Sequence, residues 1–380
     1  MKRLTALLMA GVMVFGMTAC GAQKTEQSSG GQTAAETPAE DNAPAEDGED
    51  SGKSAILIVN GNLGDLGFFD SANAGMQRLK NELGLSVQVI ETGDEESKWE
   101  PALADAAEED VDYVIAVSPS MVEPMQNIAP LYPEKKFLMM DNTVDFASGD
   151  YSNVYCATFK QNEGSFLAGA VGAILAKDTG MLGFVGGMDI PPINDFLVGY
   201  IEGALAVNPD VKVIATYPGD YYDPAKGKEH GIVLSNQGAE VMFAAAGPTG
   251  LGVIEAAVEA DKYIIGVDSD QSAGYAANGD QETANQIVTS MMKNVGDAIF
   301  RAIDLDLKGE LALGQSESLG IVEGGIGLAK NEVYNSTLTD EEKKAIEDIE
   351  VRLISGELKV STAIGMTTEE LDKLRSSVAP

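Results

Sequence analysis

From Ser54 onward the chain repeats one unit: a short run that is apolar at nearly every position, then an amphipathic stretch of helical length, then another apolar run. Ala55-Ile56-Leu57-Ile58-Val59 opens the series, a helix is predicted over 70–83, and Ser86-Val87-Gln88-Val89-Ile90 follows. Further strands are predicted over 111–117, 136–140 and 153–157. A strand with one face in water alternates polar and apolar residues, whereas a continuous apolar run signals burial on both faces. Helical crossovers between parallel strands supply that cover, and they are right-handed. A second series predicts strands over 181–187, 211–217, 241–246 and 263–267, with helices over 195–207, 224–236, 250–260 and 286–307. The pattern predicts an α/β chain of doubly wound parallel sheets. At 380 residues the length suits two lobes rather than one. No strict internal repeat relates the two series.

In open parallel sheets ligands sit in the crevice beyond the carboxyl ends of the strands. Those ends read Asn60-Gly61-Asn62, Ser118-Pro119-Ser120, Asp141-Asn142, Gly186-Gly187-Met188-Asp189, Ala246-Gly247-Pro248 and Asp268-Ser269-Asp270. Glycines, hydroxyls, amides and carboxylates in these places suit a neutral, polyol-like ligand. Neither Gly186-Gly187 nor the 247–252 stretch forms Gly-x-Gly-x-x-Gly after a first strand, which sets aside a dinucleotide site.

The front of the chain differs in kind. Lys2 and Arg3 precede an apolar segment over 4–17, and Met17-Thr18-Ala19-Cys20-Gly21 follows. This is the layout of an export signal over 1–19. Its end resembles a lipobox, so Cys20 is expected to become the lipidated first residue of the mature chain. Residues 21–53 hold no aromatic and no Val, Ile or Leu and are rich in Ala, Glu, Asp, Pro, Gly and Ser. Such a stretch buries too little surface to offset its ordering entropy, so 20–53 reads as an acidic, disordered tether.

Charge and rare residues exclude several classes. Twenty-five basic against 60 acidic side chains give a net charge of −35, which repels phosphate backbones and anionic headgroups. Nucleic acid and peripheral membrane binding are therefore set aside, and no second apolar run is long enough to span a bilayer. Cys156 has no intrachain partner once Cys20 is processed, and reads as a buried strand residue. His230, the only histidine, lies in a polar helical stretch and makes a poor metal site or triad member. No cofactor or metal is expected.

The sequence also carries a series of motifs in fixed order. They are Gly64-Asp65-Leu66-Gly67-Phe68-Phe69-Asp70-Ser71-Ala72, Glu163-Gly164-Ser165-Phe166-Leu167-Ala168-Gly169 and Tyr222-Asp223-Pro224-Ala225-Lys226-Gly227-Lys228. Ala245-Ala246-Gly247-Pro248-Thr249-Gly250-Leu251-Gly252, Ile265-Gly266-Val267-Asp268-Ser269-Asp270-Gln271 and Thr289-Ser290-Met291-Met292-Lys293-Asn294-Val295 follow. In this order and spacing the chain resembles the basic membrane protein family, the purine nucleoside receptor group of ABC-transporter substrate-binding lipoproteins. The resemblance covers 55–360.

It implies a type I periplasmic-binding fold, with lobes at 54–158 plus 269–312 and 159–268 plus 313–370, joined by a multi-segment hinge and closing on a nucleoside. It also implies a monomer on the outer face of the cell membrane that serves an ABC permease and ATPase. By position, Phe68 falls where an aromatic stacks on the purine, Asp268 and Lys293 where ribose hydroxyls are held, and Asn60, Asp141 and Gly247 at strand-end contacts. Ser118 joins them as a strand-end hydroxyl, Phe196 is placed to close the sandwich on the ring, and Asp65 and Phe69, in the same motif as Phe68, complete the expected ligand contacts, Phe69 as a second aromatic suited to a different or larger ring. A carboxylate accepts two hydrogen bonds from a vicinal diol while a lysine keeps it ionised, and an aromatic face adds about 1–3 kcal/mol of stacking.

Asp65-Leu66-Gly67-Phe68-Phe69 departs from the family's usual Asp-Lys-Ser-Phe-Asn, and Asn60 stands where an aspartate is common. Both changes touch the base end, so ribose recognition transfers better than base recognition. Each residue has an ordinary alternative: Phe68, Phe69 and Phe196 as core residues, Asp268 as a cap, Lys293 as a solvated helix lysine. The ligand alternatives are a sugar, a furanone signal or a flavin, and the same fold and anchor also serve sensors and adhesins. A nucleoside hydrolase using Asp141, Asp268 and Asp270 is the enzymatic alternative.

Overall fold

The computed structural model describes residues 51–380. The expected export signal, Cys20 and the tether as far as residue 50 lie outside the described residues. Residues 51–53, expected as the end of the tether, are instead tied to the body. The Ser51 amide and hydroxyl both donate to the Gly84 carbonyl at 3.1 Å, and Lys53 Nζ lies 2.7 Å from Asp112.

In chain order the strands are β1 (Ser54–Val59), β2 (Ser86–Glu91), β3 (Tyr113–Val117), β4 (Lys136–Met140), β5 (Val154–Phe159) and β6 (Met181–Gly186). There follow β7 (Lys212–Thr216), β8 (Val241–Ala245), β9 (Tyr263–Asp268), β10 (Ile287–Lys293), β11 (Gln315–Leu319) and β12 (Ile326–Leu328). Among the described residues they form two six-stranded sheets, ordered β11-β5-β4-β3-β1-β2 and β12-β10-β9-β8-β6-β7. Every pairing is parallel except that of β10 with β12. β3 and β8 are buried at every position, as their apolar runs demand, whereas the edge strands β2 and β11 are largely open. Cys156 is buried in β5, among apolar side chains.

Each sheet reverses its winding at one point, between β1 and β3 in the first and between β6 and β8 in the second. Connections leave in opposite directions at such a point and open a crevice at the strand ends. Helix packing brings the rest into register. Helices Gln161–Leu175 and Pro191–Val207 approach so closely that a Cβ on Gly199 or Gly203 would run into the carbonyls of Asn162 and Phe166.

Two expectations need correction. The helix expected over 286–307 is strand β10 followed by helix Val295–Leu307. Its first half, Ile-Val-Thr-Ser-Met-Met-Lys, is rich in β-branched residues and lies in the second sheet between β9 and the edge strand β12, where packing overrides a helix-compatible pattern. The lobe boundaries expected at 269 and 313 move as a consequence. Residues 269–293 stay with the second sheet, and β11 pairs with β5 in the first. The chain therefore crosses between sheets after β5, after β10 and after β11. The crossings are bonded side by side: Lys160 N donates to Leu319 O, and Asn294 N to Gly325 O, each at 2.9 Å.

Candidate functional site

A cavity of about 770 Å³, part of it open to solvent, lies between the strand ends of the two sheets. Ser118 (φ 92°), Asp141 (φ 69°), Gly247 (φ 53°) and Asp268 (φ 66°) all line it, and each ends or follows a strand in a left-handed backbone conformation. Three of the four are not glycine, and a strained step of this kind is held only where surrounding packing enforces it. The step ends the strand and turns the residue towards the crevice.

Lys293, the last residue of β10, is the centre of the polar half. It is 4% exposed, and its Nζ donates to Asp141 Oδ1 and Oδ2 at 2.9 and 3.0 Å. The same ammonium sits 4.8 Å from the Phe196 ring centroid, 5.7 Å from Phe68 and 5.8 Å from Phe159, a cage that favours a cation. It is therefore no solvated helix lysine, and the ion pair ties β4 of the first sheet to β10 of the second. Burial pushes the Asp141 carboxyl up, against the pull of Lys293.

Asp268 stands apart. At 7% exposed it is nearly buried, yet no hydrogen bond or ion pair from the described residues reaches its carboxylate. Burial pushes its carboxyl up to about 7; Lys293 opposes that shift, and the like charges of Asp141 and Asp65 reinforce it. The alternative reading of Asp268 as a cap does not hold: Asp270 caps the next helix, Gln271–Ala277, by accepting from Ala273 N.

Three of the expected residues serve differently. Asp65 lines the cavity, but its carboxylate is taken up by the amides of Gly67, Phe69 and Asp70 at 3.0–3.1 Å, so it caps helix Phe68–Leu83. Phe69 packs in the core with its ring against Gly61, touching the cavity only at its edge. Asn60 does not line the cavity: it is fully buried behind Ser118, donating from Nδ2 to Ser118 Oγ at 3.1 Å. Phe68, by contrast, is half-buried and faces the space, edge-on to Phe69 at 5.5 Å. Phe196 lines the cavity as well, while its 6.2 Å approach to Phe243 joins it to the core.

Sequence reasoning missed Tyr221 as a wall of the cavity and saw Tyr222 only as part of a motif. The Tyr221 ring packs on Gly187, where a Cβ would collide with it. Tyr222 reaches from the second lobe to the first, its hydroxyl donating to the Asn60 carbonyl at 2.7 Å. Ser269 Oγ makes a similar bridge to Gly67 O at 3.0 Å. Adjacent aromatics in an otherwise polar loop after a strand end were the available signal. Among the described residues no helix is long and apolar enough to cross a membrane, and no group of His, Cys, Asp or Glu is arranged to hold a metal.

The family model for PnrA-like ABC transporter substrate-binding proteins matches residues 53–362. Basic membrane protein D of Borreliella burgdorferi is 30% identical over 319 residues, 83% of this chain and 90% of that protein. The ABC transporter nucleoside-binding protein BmpA of Lactococcus lactis is 29% identical over 320 residues, 81% and 88% of the two chains. Among solved structures, an ABC transporter solute-binding protein of Aeropyrum pernix superposes with a TM-score of 0.73 at 28% identity, over 86% of this chain and 99% of that one.

Proposed function

The chain belongs to the PnrA-like ABC transporter substrate-binding family, and on that premise we propose that it captures a nucleoside between its lobes, on the outer face of a membrane to which Cys20 anchors it. It presents the ligand-closed form to an ABC permease and ATPase. The observation that carries this reading is the Asp268 carboxylate, nearly buried, without a partner among the described residues and beside the Lys293–Asp141 pair. The carboxylate faces the cavity with its acceptor positions open to a ligand, and a vicinal diol supplies two O–H donors at once. Phe68, Phe196 and Tyr221 provide apolar ring faces in the same space, which suits a ligand that is sugar at one end and flat at the other. The BmpA relative's description as nucleoside-binding agrees with this.

Closure follows from two-lobe contacts. Ligand groups that touch both sheets favour the closed form over the open one by their differential affinity, and that form is the one handed on. Calorimetry of the purified protein with a panel of nucleosides, pentoses, hexoses and riboflavin tests the proposal. Binding of at least one nucleoside is expected, with loss on Asp268→Ala. Binding of a sugar or riboflavin and of no nucleoside would overturn it. Membrane fractionation of a Cys20→Ala variant tests the anchor: release into the soluble fraction is expected, and retention would refute it.

A further inference from the structure

Ser118 stands at the winding reversal of the first sheet with a hydroxyl whose hydrogen bonds on the protein side are all of one kind. A hydroxyl has two acceptor positions and one proton to donate. Ser118 Oγ accepts from Asn60 Nδ2 at 3.1 Å and from Ser120 N at 3.2 Å. Both acceptor positions are used, and among the described residues no acceptor takes its proton. The residue lies on the cavity wall, so the proton is left for a ligand. Behind it Asn60 is fully buried, with Nδ2 turned to Ser118 and Oδ1 without a partner among the described residues, and its backbone carbonyl accepts from the Tyr222 hydroxyl at 2.7 Å.

We infer that Ser118 is a specificity-determining hydrogen-bond donor, held in that role by Asn60, which selects a carbonyl over an amino group on the ligand's base. The inference rests on the nucleoside reading and deepens it. The hydroxyl-seeking end of the cavity is formed by Asp268 and Lys293 from neighbouring strands of the second sheet. Ser118 and Asn60 follow β3 and β1 of the first sheet, so a ligand that spans the crevice brings its other end to them. An amino group there would set N–H against O–H, two donors with no acceptor between them, and one group would lose its hydrogen bond. A carbonyl meets the proton directly. Ser118 also holds its place at φ 92° and ψ 145°, a conformation natural to glycine, which has no hydroxyl to offer.

Calorimetry with two pairs of nucleosides tests this, each pair exchanging a base carbonyl for an amino group: inosine against adenosine, and uridine against cytidine. The unaltered protein should favour the carbonyl member of a pair by about three- to tenfold, the range one hydrogen bond commands. Ser118→Ala, which keeps the Cβ and the backbone, should lower carbonyl affinities by a similar factor and leave amino affinities within about twofold, which also shows that the variant folds. Asn60→Ala frees a lone pair on Ser118 and should narrow the preference too. Equal loss for all four ligands in Ser118→Ala, no change for any, or a preference for amino members in the unaltered protein would overturn the inference. Binding of none of the four is a different result: it removes the nucleoside reading and this inference with it.

Discussion

Replacing Asp268 by asparagine separates what the cavity does for the ligand from what it costs the fold. Asp268 sits at φ 66°, a region asparagine enters readily, so the backbone need not move. Burial pushes the folded carboxyl up to about 7, from 3.8 for the unperturbed group. A carboxyl whose folded pKa is raised holds its proton more tightly in the native state. Its ionisation therefore destabilises the fold, by an amount that grows as pH rises from about 4 and levels off above about 7. At about 1.4 kcal/mol per unit the interval caps this cost near ~4 kcal/mol.

The groups facing the carboxyl are Lys293, which favours its charge, and Asp141 and Asp65, which oppose it. The amide of Asp268→Asn carries no charge, so at pH 8 the ligand-free variant should be more stable than the parent by about 2–4 kcal/mol. For about 330 folded residues that is a rise of roughly 3–6 °C in Tm. At pH 4 the difference should vanish. Affinity moves the other way: the amide keeps one uncharged acceptor oxygen and sets an N–H donor where the second acceptor stood, which should weaken nucleoside binding by about 10- to 100-fold. In the unaltered protein, binding should weaken by up to tenfold per unit as pH falls below about 7, since the proposed binding mode uses the ionised form. Scanning calorimetry from pH 4 to 9, with titration calorimetry alongside, reads both. A variant that is less stable at pH 8, or equally shifted at every pH, refutes the reasoning.

Lys293→Met removes the ion-pair partner of the half-buried Asp141 and the positive charge nearest the buried Asp268; denaturant unfolding at pH 7.5 should show a loss of about 3–5 kcal/mol, smaller at pH 5. Tyr222→Phe deletes the 2.7 Å bridge to the Asn60 carbonyl; small-angle scattering of the ligand-free protein should show a larger radius of gyration, and an unchanged radius would show that the bridge does not hold the lobes together. Gly203→Ala drives a methyl group into the Phe166 carbonyl between two packed helices, and a drop in unfolding free energy of about 1–3 kcal/mol is expected far from the cavity.

Much of this was legible in the residues alone. Apolar runs located nine of the twelve strands among the described residues, because an inner strand covered on both faces must be apolar throughout; the edge strand β2 alternates instead. The missed strands are the ones that pattern does not describe. β10 reads equally as a helix start, and β11 and β12 carry little apolar pattern, made strands by pairing with β5 and β10 rather than by their own preference. The lobe boundaries failed for the same reason, since they depended on which sheet claims those three segments.

The site divides along a similar line. Which residues stand at strand ends is a matter of sequence position, and nine of the ten expected ligand contacts line one cavity. What each one does there depends on its neighbours. The Asp65 and Asp268 carboxylates are chemically the same, but three amides at a helix start occupy the first and, among the described residues, none reaches the second. Phe68 and Phe69 are adjacent and identical, and helical geometry turns one to the crevice and the other to the core. Local pattern determined the elements and the addresses of the polar groups, because periodicity is written residue by residue. Only the tertiary structure decided which groups are left without partners, because a hydrogen bond is satisfied in space and its partner can lie anywhere along the chain.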